Sequence, residues 1–185
     1  MDDRPGSTGQ RLSAQRAIAA DPATIFDILS TPSGHVAIDA SGMLMAAEGD
    51  PVSAVGDRFE VRMDRESLND YPLGEYAVNV VISRFERDRA IAWTIDGVMQ
   101  PPIGHVFGYE LTPIDGGTMV TSYYDWSDIH PQYRDAASRI FPVISETNLR
   151  ATLGILARVA APGRGRPGAT ETPRGGLGAQ ASPGR

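Results

Sequence analysis

The sequence predicts an α+β fold: a curved antiparallel sheet of about six to seven strands wrapped on one long C-terminal helix, with two short helices after the first strand. Two patterns lead to this prediction. Between residues 59 and 126, apolar side chains recur mostly at every second position, the period of a strand with one buried face. Between residues 131 and 161 they follow the period of a helix and occupy an arc of roughly 200°. An apolar sheet face needs a cover, and this helix provides one.

The two short helices are predicted from their start and stop signals. Asp21 followed by Pro22 is typical of a helix start, because an Asp side chain accepts hydrogen bonds from the first turn and Pro has no N–H to satisfy there. This helix is predicted over residues 22–29. The Thr-Pro-Ser-Gly stretch at residues 31–34 ends it, and a second helix is predicted over about residues 34–38.

Strands are predicted where apolar and polar residues alternate. Asp115, Gly116 and Gly117 lie between the last two of them and indicate a hairpin, since Asp and Gly favour tight turns. The predicted strands after the first form an antiparallel meander. The seven predicted strands cover residues 10–18, 43–47, 59–63, 76–82, 91–95, 105–111 and 119–126.

The C-terminal helix has two irregular features. Pro142 lies inside the apolar pattern, so the helix is expected either to kink there or to follow a short separate lead-in helix. Ser145, Asn148 and Thr152 lie in the middle of the apolar arc, where a plain core helix carries Leu or Ile. A polar group held away from water needs a hydrogen-bond partner. These three side chains therefore either bond to the protein or face a cavity that holds water or a ligand.

Composition divides the chain into three parts. Residues 1–9 are predicted to be a disordered leader, residues 10–161 a single domain, and residues 162–185 a disordered tail, because the tail has too little apolar surface to order itself. The tail carries four Arg and one Glu, so a chain of net charge −6 has about −9 on the remainder. An acidic body repels phosphate backbones, and we expect no nucleic-acid partner.

Several kinds of chemistry are excluded by composition. The chain has no cysteine, which excludes disulfides and thiolate catalysis. All 17 basic residues are Arg, which excludes a lysine Schiff base. No segment has the length of an apolar membrane span, and the N-terminus lacks the apolar region of a signal peptide. We therefore expect a cytoplasmic protein without a transmembrane segment, with monomer and homodimer both left open.

Cofactor and metal motifs are absent from the sequence. The three histidines lie in separate predicted elements and lack the spacings typical of zinc sites. There is no phosphate-binding loop following a strand and no nucleophile motif. We expect neither a metal nor a cofactor.

Three side chains are the candidate catalytic residues: His105, Asp39 and Asp125. His105 shares a strand face with Phe107 and Tyr109, so it is either an acid, base or hydrogen-bond donor in a cavity or a half-exposed histidine near the sheet end. Asp39 either caps the loop that follows it or lies at the cavity mouth as a general base. Asp125 points away from both its neighbours in the chain, but both faces of its strand are mixed, so the inner face is not identified.

Aromatic residues are concentrated on the late strands. They either line a pocket for a flat apolar molecule, with tyrosine hydroxyls orienting it, or fill the core beneath the helix. Together with the three polar helix residues they form the set of candidate ligand-binding residues: Trp93, Phe107, Tyr109, Tyr124, Trp126, Ser145, Asn148 and Thr152.

Several short motifs match the pattern of a known superfamily. They are the helix start at residues 21–27, Trp93 on the fifth strand, the hairpin at residues 111–121, and the segments at residues 35–42 and 124–127. With the order of elements, the first three resemble the START-like (SRPBCC, Bet v 1-like) superfamily, and the last two look like its bacterial polyketide cyclase/dehydrase-like branch. The resemblance covers about residues 10–160. It implies a helix-grip fold, in which the sheet holds the long helix and a cavity opens between them.

Three functions are compatible with these observations. The leading hypothesis is a module that binds a small hydrophobic molecule, such as a lipid, a polyketide or an aromatic metabolite, between sheet and helix. The second is a polyketide cyclase or dehydratase that uses the same cavity, which requires a titratable residue inside it. The third is a protein-interaction domain with a collapsed cavity and no ligand.

Overall fold

A computed structural model describes residues 9–66 and 73–168 of the chain. Apart from Gly9, the predicted leader lies outside the described residues, as does most of the predicted loop at residues 66–73. The elements in chain order are β1 (Arg11–Ile18), α1 (Pro22–Leu29), α2 (Pro32–Ile38), β2 (Leu44–Glu48), β3 (Arg58–Asp64), β4 (Glu75–Glu86), β5 (Ala90–Asp96), β6 (Val106–Ile114), β7 (Gly117–Asp125), a 3-10 helix (Pro131–Ala136), α3 (Ala137–Ile140) and α4 (Glu146–Ala160).

The strands form one seven-stranded sheet in the order β1-β7-β6-β5-β4-β3-β2. Every neighbouring pair is antiparallel. Asp115 and Gly116 connect β6 to β7 as the predicted hairpin turn, and Gly116 has a φ of +74°, which glycine adopts without steric cost. The predicted α+β class, with six to seven antiparallel strands and a long C-terminal helix, is confirmed.

Strand register identifies the inner face of the sheet, because directly paired residues on neighbouring strands point the same way. Tyr109 pairs with Ile91 on one side and with Ser122 on the other. Ile91 is fully buried in the main core, so Ser122 lies on the inner face of β7, and so does Tyr124 two residues on. Asp125 consequently points outward. Strand register therefore identifies the inner face of β7, which the residue pattern of that strand leaves undecided.

Both short helices begin with a capping side chain followed by proline. Asp21 precedes Pro22 in α1 as predicted, and its Oδ1 accepts a hydrogen bond from the Thr24 N–H at 2.8 Å. Thr31 and Pro32 have the same roles in α2, so this helix starts slightly before the predicted residue 34. The stretch that ends α1 therefore also starts α2.

The predicted helix over residues 131–161 is divided in two. The 3-10 helix and α3 form a lead-in, and α4 follows after an irregular connection that contains Pro142. The lead-in alternative is thus confirmed over a single kinked helix. The buried residues of α4, which pack into the main core, are Leu149, Leu153 and Leu156.

Apolar side chains pack into two clusters. The main core lies between the inner face of the sheet and the helices α1, α2 and α4. The second cluster lies at the end of β7 beneath the 3-10 helix and α3, and its buried members are Tyr124, Trp126, Ile129, Tyr133 and Phe141. None of the described helices has the length and apolar character needed to cross a lipid bilayer.

The start of the predicted tail lies against the β6–β7 hairpin. The N–H of Arg164 donates to the carbonyl of Ala161 at 3.1 Å, which turns the chain. Pro167 lies beside the hairpin, where a Cβ built on Gly117 would be 3.0 Å from the proline Cγ. Residues 169–185 lie outside the described part of the chain, so their disorder stays a prediction.

Two truncations test whether this contact stabilises the domain. Removing residues 169–185 is expected to leave the melting temperature within about 1 °C of the full chain. Removing residues 162–185 also removes the Pro167 contact and should lower the melting temperature by roughly 2–4 °C, which corresponds to about 1 kcal/mol in a domain of this size. Differential scanning calorimetry measures both shifts. Equal melting temperatures for all three chains would show that residues 162–168 add nothing to stability.

Candidate ligand-binding site

A cavity of about 450 Å³ lies between the inner face of the sheet and the helices α2 and α4. Its volume falls within the range of small-molecule sites, roughly 300–1,000 Å³. The connection between α3 and α4 closes part of the remaining side. Apolar side chains supply most of the wall, among them Val61, Val78, Val80, Ile95, Ile144 and Leu149.

Exposed apolar side chains stand at the rim of the cavity. Leu73 precedes β4, and Val98 and Met99 follow β5; all three line the cavity and are 49%, 58% and 45% exposed. Large apolar residues are seldom left this exposed as a group unless they border a binding site. This end of the sheet is therefore the entrance of the cavity.

Aromatic rings form one wall of the cavity. Trp93 lies nearly parallel to Phe107 and Tyr109, with ring centroids 6.2 and 5.9 Å apart. The three residues stand side by side because Trp93 pairs with Phe107 across β5 and β6, and Tyr109 lies two positions further along the same face. These three of the five predicted ligand-binding aromatics line the cavity. Their flat faces suit a flat apolar molecule.

Tyr124 and Trp126, also predicted as ligand-binding, are not placed in the cavity wall. Tyr124 is fully buried behind Phe107, with their rings stacked at 4.6 Å. Trp126 comes after the last residue of β7 and packs into the second cluster beside Tyr133. The aromatic row of the sheet continues past the cavity, so that its far members serve as core beneath the lead-in helices.

The polar residues of the C-terminal helix divide between the two predicted roles. Ser145 is the N-cap of α4 and lies outside the helical arc, which corrects its predicted position. Its Oγ accepts from the N–H of Asn148, and the Oδ1 of Asn148 accepts from the N–H of Ser145, a reciprocal capping box. Asn148 also lines the cavity, and its Nδ2 lies 3.5 Å from the Ala40 carbonyl. Thr152 lines the cavity as predicted.

His105 lies just before β6 and lines the cavity. It is only 5% exposed, so the alternative of a half-exposed strand histidine is wrong. Its Nδ1 lies 2.9 Å from the hydroxyl of Tyr124. Burial lowers the pKa of His105 to about 4, which keeps the imidazole neutral near pH 7.

The two aspartate candidates are occupied elsewhere. Asp39 caps the loop after α2, as one alternative predicted: its Oδ1 accepts from the N–H of Ser41 at 2.8 Å and its Oδ2 from the N–H of Leu44 at 3.1 Å. The residue still borders the cavity. Asp125 is on the outer face, where it accepts from Ser127 and pairs with Arg11 at 3.5 Å. It is not available to a ligand in the cavity.

The cavity wall also contains polar residues that were not among the sequence-based candidates, and His35 and Arg65 are two of them. His35 of α2 is buried against Trp93, at a ring distance of 4.6 Å, and its Nε2 donates to the Leu29 carbonyl at 2.9 Å. Its position three residues before the buried Ile38 was the available signal. Arg65 is 9% exposed and lies two residues beyond Met63, in phase with the inner face of β3.

The tyrosine and histidine side chains in the wall and directly behind it favour hydrogen bonding over proton transfer. Burial raises the pKa of Tyr109 to about 12, against a hydrogen bond from Ser122 that lowers it. Burial also raises the pKa of Tyr124, and the pKa of His35 falls to about 4 because burial outweighs its hydrogen bond to Leu29. These groups are all neutral near pH 7. In the described part of the chain, no three His, Asp or Glu side chains converge to hold a metal ion.

Comparisons with known proteins relate this chain to others by fold. No protein-family model matches the sequence, and no curated protein sequence matches it. Solved structures do match. A protein from Nitrosomonas europaea superimposes with a TM-score of 0.58 at 14% identity, over 83% of this chain and 95% of that one. The Aha1 dimer from Colwellia psychrerythraea superimposes with a TM-score of 0.54 at 16% sequence identity, over 84% of this chain and 98% of that one. An AHSA1-like protein from Aeromonas hydrophila superimposes with a TM-score of 0.50 at 14% sequence identity, over 80% of this chain and 90% of that one.

The fold and its neighbours define the class of this protein as a helix-grip domain. The neighbours include proteins described as Aha1 or AHSA1-like, and each is matched over at least nine-tenths of its length. Sequence identities below 20% support a shared fold and do not support a shared function. What the domain does must therefore be argued from its own cavity.

The buried neutral histidines predict that acid destabilises the domain. The pKa of His35 and of His105 is about 4 in the folded chain, below the value of about 6.5 expected when unfolded. The unfolded chain therefore binds more protons between these values, and stability falls as pH falls. Between about pH 7 and pH 5, each histidine should cost about 2 kcal/mol of unfolding free energy.

Urea unfolding at the two pH values measures this loss, and variants isolate the source. His35→Gln is expected to lose about 2 kcal/mol less between pH 7 and pH 5 than the parent chain, whatever its stability at pH 7. His130 is exposed, and His130→Gln should keep the full loss. A pH dependence that is identical in both variants would contradict burial of His35 as a neutral ring.

The capping box predicts the effect of changing Asn148. Asn148→Leu removes the acceptor of the Ser145 N–H and should destabilise the domain by about 1 kcal/mol, because an N-terminal donor of α4 loses its partner. Thr152→Val is the matched control on the same side of the helix and should change stability by less than about 0.5 kcal/mol. Chemical denaturation measures both. A stabilised Asn148→Leu would indicate that Asn148 serves the cavity rather than the cap.

Proposed function

We propose that this helix-grip domain binds one small hydrophobic molecule, of the lipid, polyketide or aromatic-metabolite class, in the cavity between the sheet and the C-terminal helix. The observation that carries the proposal is the cavity itself, with about 450 Å³ of space and a mostly apolar, partly aromatic wall. Such pockets with few polar groups are typical of sites for apolar small molecules.

The size of the cavity supports occupancy by a ligand. The open cavity leaves apolar side chains of the sheet and helices in contact with solvent, and burial of such surface stabilises a protein by about 25 cal/mol per Å². A chain without need of the space would gain stability by filling it with larger side chains. An apolar ligand restores the missing contacts without that change.

We place the domain in the START-like (SRPBCC) superfamily, in its polyketide cyclase/dehydrase-like branch, as part of the same proposal. The motif at residues 35–42 supports this placement, because His35 and Asp39 from it border the cavity. The helix start at Asp21 and Pro22 supports the superfamily. Cytoplasmic location and a monomeric or homodimeric state remain parts of this proposal.

Binding is favoured over the two alternatives by particular contacts. A cyclase or dehydratase needs a group that moves protons, but Asp39 is held by backbone N–H groups and Asp125 lies outside the cavity. The enzyme alternative therefore depends on His105, which contacts Tyr124 beside the cavity. A protein-interaction domain with a collapsed cavity is disfavoured by the open space, although Ser145 and Asn148 are bonded to the protein as that alternative predicts.

A fluorescent apolar probe tests the proposal directly. N-phenyl-1-naphthylamine is uncharged and should bind in the cavity with energy transfer from Trp93, which lines it, in the Trp126→Phe variant. Thr152→Phe places a ring in the cavity and should weaken binding at least about tenfold. Ala151→Phe is the matched control, since Ala151 is exposed on the neighbouring position of α4.

Native mass spectrometry of the purified chain complements the titration. A co-purified apolar molecule would identify the class of ligand, and Thr152→Phe should carry less of it than Ala151→Phe. If the chain carries no molecule and the probe does not bind, the ligand proposal is wrong and the interaction-domain reading replaces it.

A further inference from the structure

One polar atom of the cavity wall is left without a partner. His105 lines the cavity, is 5% exposed and has the rings of Phe107 and Phe141 beside it, at 5.1 and 6.0 Å. Its Nε2 is buried and has no hydrogen-bond partner among the residues that the structure describes. A buried donor without a partner destabilises by about 1–3 kcal/mol and is rare in native proteins. The described protein leaves this atom unpaired and His105 borders the cavity, so a ligand in the cavity is the candidate partner.

The position of the proton on His105 follows from its other contact. The Nδ1 of His105 lies 2.9 Å from the hydroxyl of Tyr124, so one of the two groups donates to the other. If Nδ1 carried the proton and donated, the tyrosine proton and the lone pair of Nε2 would both lack a partner. If the tyrosine donates, only the Nε2–H lacks a partner. We therefore assign Nδ1 as the acceptor, and the neutral ring carries its proton on Nε2.

Building on the proposed function, we propose that the ligand of this cavity carries an uncharged hydrogen-bond acceptor, such as a ketone or quinone oxygen, which accepts from the Nε2–H of His105. Tyr124 acts as the positioning group that holds the imidazole in this tautomer. The donor stands beside the aromatic wall of Trp93 and Phe107, so the acceptor belongs to a flat or ring-containing apolar molecule.

The surroundings of His105 select for an uncharged acceptor. Its ring neighbours are Phe107, Tyr124 and Phe141. The free energy needed to move a charged group from water to these surroundings is far larger than the free energy gained from one hydrogen bond with the neutral imidazole. A carbonyl oxygen costs little to desolvate once it receives one hydrogen bond. Ligands that differ only in this oxygen should therefore be told apart by the protein.

Fluorenone and fluorene provide that comparison, because they are flat aromatic molecules of nearly equal size that differ in one carbonyl. Displacement of N-phenyl-1-naphthylamine gives the dissociation constant of each. The ratio of the two constants should favour fluorenone about tenfold more in the parent chain than in His105→Phe. His130→Phe, a change at an exposed histidine, should keep the parent ratio.

Spectroscopy gives a second reading that does not depend on the His105 variant folding. The infrared carbonyl band of bound fluorenone should shift to lower wavenumber in the parent chain, as expected for a hydrogen-bonded ketone. Nitrogen-15 NMR should find the His105 proton on Nε2, and Tyr124→Phe should convert the ring to a mixture of tautomers. A proton on Nδ1 in the parent chain overturns the inference.

The outcomes separate this inference from the proposed function. If both molecules bind with the same ratio in the parent chain and in His105→Phe, the cavity binds apolar ligands but His105 does not select them, and this inference fails alone. If the parent chain binds neither molecule and not the probe either, the proposed function fails and this inference with it.

Discussion

The structure depends on a mismatch between the sheet and the helix that covers it. An α-helix with its side chains is about 10 Å wide and covers about two strands at their spacing of about 4.8 Å, whereas this sheet has seven. α4 packs against β1 and β7, and α2 packs against β2 and β3. In the described part of the chain, no helix covers the curved inner face between them near the entrance. The cavity is the space that this arrangement leaves.

An apolar cavity of this kind restricts the polar groups around it, because each must be paired inside the protein or by a ligand. Most of these polar groups are paired with backbone or side-chain groups at helix ends and in loops. Asp39 holds the loop after α2, and Ser145 and Asn148 start α4. Tyr109 and Ser122 are directly paired across β6 and β7. The polar residues that border the cavity thus mainly shape its wall, which leaves its chemistry to very few atoms.

The fold was predictable from the sequence because its signals are local. Alternation gave the strands, and Asp21, Pro22 and Asp115 marked a helix start and a turn within a few residues. The site was less predictable because it depends on register and packing. Ser145 was misplaced because the helical period does not extend to it: α4 begins at Glu146, and the backbone of Ser145 is extended. The inner face of β7 could not be read from the strand alone, since the outward Tyr123 is itself buried over Gly108.

The same geometry bears on whether the cavity binds or catalyses. A general base needs a free lone pair that faces the substrate. The lone pair of His105 is on Nδ1, where it receives the Tyr124 hydroxyl, and the nitrogen left without a protein partner already carries a proton. Burial holds its pKa at about 4, so a second proton to donate is absent near pH 7. As held here, His105 is suited to recognise an oxygen and unsuited to move a proton. Catalysis at this site would first require the bond between His105 and Tyr124 to break.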